Sequence, residues 1–97
     1  NPPKFLKFMF HFTYVLFSIR DKGIYIGFSN NLKNRVSEHN HGLVKSTRNR
    51  RPLALIYFEG YKSRKVAVAR ERYLKTGWGR NYIKKIAKEY IENGPKI

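Results

Sequence analysis

The chain has 97 residues and carries 21 Lys and Arg against six Asp and Glu, a formal net charge of +15. A chain of this length builds one core rather than two, and its 41% hydrophobic and 15% aromatic content excludes a disordered polyelectrolyte. The cation excess points to a polyanion, nucleic acid first, while the absence of Cys excludes disulfides and thiolate metal sites.

No apolar run approaches the ~20 residues of a membrane span, so no membrane partner is expected. The lack of cysteine fits the reducing cytoplasm. Phe5, Leu6 and Phe8 behind a basic start faintly resemble a signal peptide, but Lys7 and His11 break the run and no small-residue cleavage site follows. Residues 1–9 therefore read as an extension (leader, cloning remnant or frayed end), residues 10–93 as one domain and residues 94–97 as a tail.

Phe10 to Ile19 is rich in aromatic and β-branched residues and predicts a buried strand. Arg20-Asp21-Lys22-Gly23 is a turn signal, and Ile24 to Phe28 follows as a second strand, so the two should pair as an antiparallel hairpin. The Ser29-Asn30-Asn31 cluster breaks the strand, and Asn30 or Asn31 can cap a helix by accepting from a first-turn amide. Leu32 and Val36 share that helix's buried face, and Gly42 can end it in the left-handed conformation. Arg35 and His39, also four apart, project side by side near the strand tyrosines. A guanidinium beside an imidazole makes a poor core and a good phosphate holder.

Leu43 to Arg51 is a loop holding Lys45, Arg48, Arg50 and Arg51 without one acid, which suits backbone phosphate contacts that give affinity rather than sequence choice. Leu53 to Phe58 is the third strand. Ser63 should cap a second helix running to about Thr76, with Gly77 as its stop and Ala67, Glu71 and Leu74 on one side. Trp78, between two glycines, reads as a plug in the helix junction. Asn81 should begin a third helix, with Ile83, Ile86, Ala87, Tyr90 and Ile91 at helical spacing and Asn93-Gly94-Pro95 ending it. The order β-β-α-β-α-α predicts an α+β domain with a small three-stranded, mainly antiparallel sheet flanked by about three helices.

These residues resemble the GIY-YIG nucleases. Tyr25-Ile26-Gly27 stands as the second family motif, and Phe12-Thr13-Tyr14 occupies the place of the first, keeping only its tyrosine. Arg35 matches the helix arginine, and Glu38-His39-Asn40, Thr47 to Pro52 and Ala69 to Lys75 look like the small stand-alone bacterial members. The resemblance covers about residues 10 to 92. It implies hydrolysis of DNA phosphodiesters with one divalent ion, Mg²⁺ or Mn²⁺. Carried over, Tyr14 and Tyr25 would line the site, one of them as activator or general base. Arg35 would bind the scissile phosphate, His39 would assist, and Glu71 would be the metal ligand. Asn81 is the candidate for a family asparagine that follows the glutamate. Phe28 stands where relatives often have a polar or basic residue, so Lys33 or a loop cation would take over a phosphate contact made from there.

The chemistry is consistent with this set. Phosphodiester hydrolysis needs a cation on the non-bridging oxygens and an activated nucleophile, and a single carboxylate suits Mg²⁺, which keeps several waters. A tyrosine base needs its phenol, ordinarily near ~10, lowered by nearby cations. Taken singly, each residue has a plainer reading: strand packing for the tyrosines, a solvated helix face for Arg35 and His39, a surface ion pair for Glu71 between Arg70 and Arg72. Their coincidence in order favours a stand-alone endonuclease cutting one strand per site, acting as a monomer or transient dimer; structure-selective cleavage in repair or recombination, partner-directed cleavage and weak non-specific nicking all stay open. Lys33, Lys45, Arg48, Arg50, Arg51 and Asn81 would contact the DNA. The alternative is a non-catalytic nucleic-acid-binding module on a degenerate nuclease scaffold, which Phe28 and the incomplete first motif favour. A basic RNA-binding or ribosome-associated protein is a third reading, and it predicts no metal site at Glu71.

Overall fold

The computed structural model of the protein describes residues 9–94. The expected N-terminal extension, Met9 excepted, and the tail beyond Gly94 lie outside the described residues. The elements are β1 (His11–Ser18), β2 (Ile24–Ser29), α1 (Leu32–Asn40), a 3-10 turn (Arg48–Arg50), β3 (Leu53–Tyr61), α2 (Arg64–Leu74) and α3 (Gly77–Asn93). The sheet is antiparallel throughout in the order β2-β1-β3. This is the expected α+β architecture and element order.

β1 is central, which explains why its sequence is apolar without alternation: from Thr13 to Ser18 every residue is buried. The hairpin register pairs Tyr14 with Gly27 and Leu16 with Tyr25 on one face, and Val15 with Ile26 on the other. On the first face Tyr14, Leu16 and Leu53 pack with Tyr25 and with Leu32 and Val36 of α1. On the second, Val15 and Ile26 meet Leu74 of α2 and Ile83 of α3. Leu74 and Ile83 are fully buried, and each such side chain stabilises the fold by about 1.5–3 kcal/mol. Thr13 Oγ1 donates to the Ala67 carbonyl at 2.7 Å and pins α2 to the central strand.

Local signals act as read. Asn31, rather than Asn30, caps α1 by accepting from the Asn34 amide, and Gly42 follows the helix at φ 74. Ser63 caps α2 through the Val66 amide.

The α2–α3 junction corrects the expectation. Gly77 does not stop the second helix; it is the first residue of α3, which Thr76 caps by accepting from the Gly79 amide, four residues before the expected start at Asn81. Trp78 is no plug, being 80% exposed. The closure is made by Gly79, where an added Cβ would stand 2.3 Å from the Tyr73 carbonyl oxygen and 2.4 Å from Leu74 Cα. The helices touch because that side chain is missing.

Candidate active site

Four of the expected site residues converge where α1 crosses the first sheet face. The Tyr14 hydroxyl lies 2.8 Å from His39 Nε2, and His39 Nδ1 lies 2.7 Å from Thr47 Oγ1. Tyr14, His39 and Thr47 are all buried. Tyr25 packs its ring edge-on to His39 at 5.0 Å between centroids and lies 6.4 Å from Tyr14. Gly27 makes the arrangement possible, since a Cβ there would sit 2.7 Å from the Tyr14 hydroxyl and 3.1 Å from the Tyr25 ring. The motif glycine is thus a gap into which the other motif's tyrosine fits.

Burial decides the electrostatics. It pushes the Tyr14 phenol up to about 12, outweighing the Arg35 guanidinium, which pulls it down. So buried, the Tyr14 phenol stays protonated at neutral pH. His39 moves the other way, down to about 4, first because it is buried and then because Arg35 repels a second positive charge. A neutral imidazole has one proton, so if the Tyr14 hydroxyl donates to Nε2, Nδ1–H donates to Thr47 Oγ1 and every polar atom is satisfied.

A pH dependence follows from His39. Its folded value lies below the ordinary 6.5, so between about 6.5 and 4 the unfolded chain binds the extra proton. Its contribution to stability is complete above 6.5 and is lost as the pH falls toward 4. Asp21, held down to about 2 by Arg50 and so titrating below its ordinary 3.8, acts in a lower window. Denaturation midpoints between pH 7 and 4.5 should fall for the native chain and flatten for His39→Gln.

Arg35 connects this cluster to an open cleft of about 460 Å³, lined by His11, Phe28, Ser29, Asn30, Asn31, Asn34, Arg35, Glu38 and Arg64. Arg35 Nη1 pairs with Glu38 Oε1 at 3.0 Å, one turn along α1. Glu71 stands on α2 with its side chain 18% exposed and its charge felt at the Tyr14 hydroxyl. Its neighbour Arg70 is turned aside, gripping Glu59 of β3 through two nitrogens.

A model described as the GIY-YIG catalytic domain matches residues 10–86. The chain belongs to the GIY-YIG family. A UPF0213 protein of Clostridium perfringens is 39% identical over 66 residues, covering 67% of this chain and 70% of that one. One of Haloquadratum walsbyi is 32% identical over 89 residues, covering 91% and 93%. The solution NMR structure of a UPF0213 protein from Bacillus halodurans matches with a TM-score of 0.50 at 25% identity, covering 80% of this chain and 85% of that one. GIY-YIG membership fixes the nuclease superfamily and the fold.

Other candidate residues of this GIY-YIG domain lie elsewhere. Lys33 faces away from Arg35, into a groove with Phe12, Leu32, Val36, Leu55 and Phe58. Arg50 is bound to the β1–β2 turn, its Nε 2.6 Å from Asp21 Oδ2 and its Nη2 donating to the Ile24 carbonyl. Arg51 donates to the Arg48 carbonyl, while Lys45, Arg48 and Arg51 are all exposed on the loop that carries Thr47. Asn81 is exposed on α3 and does not line the Arg35 cleft. Sequence reasoning missed two residues. Thr47 figures there only within the family-like Thr47 to Pro52 segment, and Arg64, in the first turn of α2, is given no role. Its guanidinium lies 5.1 Å from the centre of the Phe28 ring.

The donor set decides which metal would suit the site. Among the described residues no three His, Cys, Asp or Glu cluster as ligands, and the Glu71 carboxylate has one loose ion partner, Lys75 Nζ at 3.5 Å. A lone, partly accessible carboxylate fits a hydrated Mg²⁺ or Mn²⁺ and does not fit a Zn²⁺ cage or a two-metal centre.

Proposed function

We propose that this domain is a DNA endonuclease that hydrolyses one phosphodiester per site with Mg²⁺ or Mn²⁺ held at Glu71. The observation that carries the reading is the convergence of Arg35, Tyr14, His39 and Tyr25 from β1, β2 and α1 beside an open cleft. When bound, the ion would supply Lewis-acid stabilisation of the phosphoryl and leaving oxygens. The protein's own groups divide the remaining work. Arg35 offers a planar fork to the non-bridging oxygens. Tyr14, buried and protonated, holds His39 and faces Arg35, so it is a positioning residue.

Tyr25 is the group that meets water. It is only partly buried, and its hydroxyl makes no hydrogen bond among the described residues. It can therefore orient the attacking water and, as its phenolate, take that water's proton as the new P–O bond forms and the P–O bond to the leaving oxygen breaks, that oxygen being protonated by solvent. The two tyrosines should behave differently. Tyr25→Phe is expected to lower turnover about 100-fold at unchanged stability. Tyr14→Phe should cost about 1–3 kcal/mol by leaving buried His39 Nε2 unpartnered. Thermal melts and single-turnover cleavage of both variants check this, and the reverse pattern would exchange the roles.

The proposal itself is tested by incubating the protein with end-labelled branched, flapped and plain duplex DNA, with Mg²⁺, Mn²⁺ or chelator. Ion-dependent products support the nuclease, and the preferred substrate bears on structure selectivity and a repair or recombination role. Salt-sensitive binding without product would favour the binding module. The net charge of +15 and the open cleft lined by Arg35 and Arg64 support DNA as partner under either reading.

A further inference from the structure

We infer that Arg64 is the second phosphate-binding cation of the cleft, acting with Arg35 and held in place by the Phe28 ring. The inference rests on the proposed nucleic-acid role of the site and adds a residue that neither motif contains.

Arg35 is paired with Glu38 at 3.0 Å, and both line the cleft, so together they present little net attraction to an anion. Ser29, Asn30, Asn31 and Asn34 add dipoles but no charge. Arg64 enters from the other side, from the first turn of α2, and no carboxylate pairs with it among the described residues. It makes the cleft positive.

Placement supports a role beyond solubility. A cation in the first turn of a helix opposes the macrodipole, and α2 has no acid there to offset it. A surface arginine would ordinarily fan into water. This one lies over an aromatic face, 5.1 Å from the Phe28 centroid, which restricts the guanidinium without consuming its N–H donors. Phe28 directly follows the Tyr25-Ile26-Gly27 motif, so the ring sets the cation beside the strand that carries Tyr25. The aromatic residue directly after the motif is thus the platform for a cation from another element. Lys33 points into a different groove and is not that cation.

The test measures duplex DNA binding against salt, together with single-turnover cleavage, for the native chain, Arg64→Ala, Arg64→Lys and the double variant Arg64→Ala with Phe28→Lys. A lost phosphate contact should lower the slope of log affinity against log salt by about 0.9. Cleavage should fall about tenfold, with the melting temperature nearly unchanged. The double variant, whose new amine would project into the space Arg64 vacates, should recover most of the slope and rate, and Arg64→Lys should fall between.

An Arg64→Ala chain with native slope would overturn the inference, as would a loss of slope that tracks lost stability. Because the slope is read from binding, it decides the matter even if the native chain cuts nothing. Absence of cutting would count against the nuclease reading alone.

Discussion

Glu71→Gln is expected to abolish ion-dependent cleavage, lowering the single-turnover rate about 10³-fold, while the domain folds and binds DNA at least as tightly. The carboxylate's field reaches the Tyr14 hydroxyl, and among the described residues Lys75 Nζ at 3.5 Å is its one ion-pair partner. Losing it removes an interaction worth several kcal/mol to developing phosphoryl charge, and about 1.4 kcal/mol is a factor of ten. Stability should barely change, since the pair with Lys75 is long at 3.5 Å and its lysine end is half exposed. Binding should not weaken, because one negative charge leaves a chain of net +15. Parallel measurement of rate, melting temperature and affinity separates this result from unfolding. If Glu71→Gln cut at the native rate, the carboxylate would be a surface ion pair and the metal assignment would fall.

Gly79→Ala is expected to be the most damaging small substitution in the domain. Its Cβ would meet backbone, the Tyr73 carbonyl oxygen at 2.3 Å and Leu74 Cα at 2.4 Å, and backbone does not rotate aside as a side chain does. Relief requires α2 and α3 to separate, which loosens Leu74 and Ile83 in the core. Overpacking of this kind costs about 3 kcal/mol, and in a domain of this size that lowers the melting temperature by about 10–20 °C. Gly77→Ala is the control: nothing lies within 4 Å of the added Cβ, so it should be neutral or slightly stabilising. Urea denaturation of both checks the contrast. Equal stability of the two variants would contradict the close helix approach.

How much was legible depended on the range of the forces involved. Asn31, Gly42 and Ser63 act within a few residues of themselves, so capping chemistry located the helix ends they govern. The unbroken apolar run of β1 signalled a strand covered on both faces. The Gly77-Trp78-Gly79 junction misled because helix approach is tertiary: a large residue between glycines suggests a plug, but the contact was made by the residue with no side chain. The site divided in the same way. Arg35 and His39 were readable together from helical spacing, yet Tyr14's protonation depends on burial that spacing does not reveal. Arg50 and Lys33 looked like free cations because Asp21 and the Phe12 groove are distant in sequence or direction. Arg64 was invisible for the same reason, since its partner Phe28 lies 36 residues away across the fold.

The central claim, that this cleft hydrolyses phosphodiesters, is tested most directly by cleaving one labelled duplex in oxygen-18 water with Mg²⁺ or Mn²⁺ and weighing the product ends. One heavy oxygen is expected in each newly formed phosphate for the native chain, and no product from Glu71→Gln at matched protein and DNA. Saturated binding of the native chain with the DNA left intact under both ions would contradict the claim, and would leave a GIY-YIG scaffold that grips nucleic acid without cutting it.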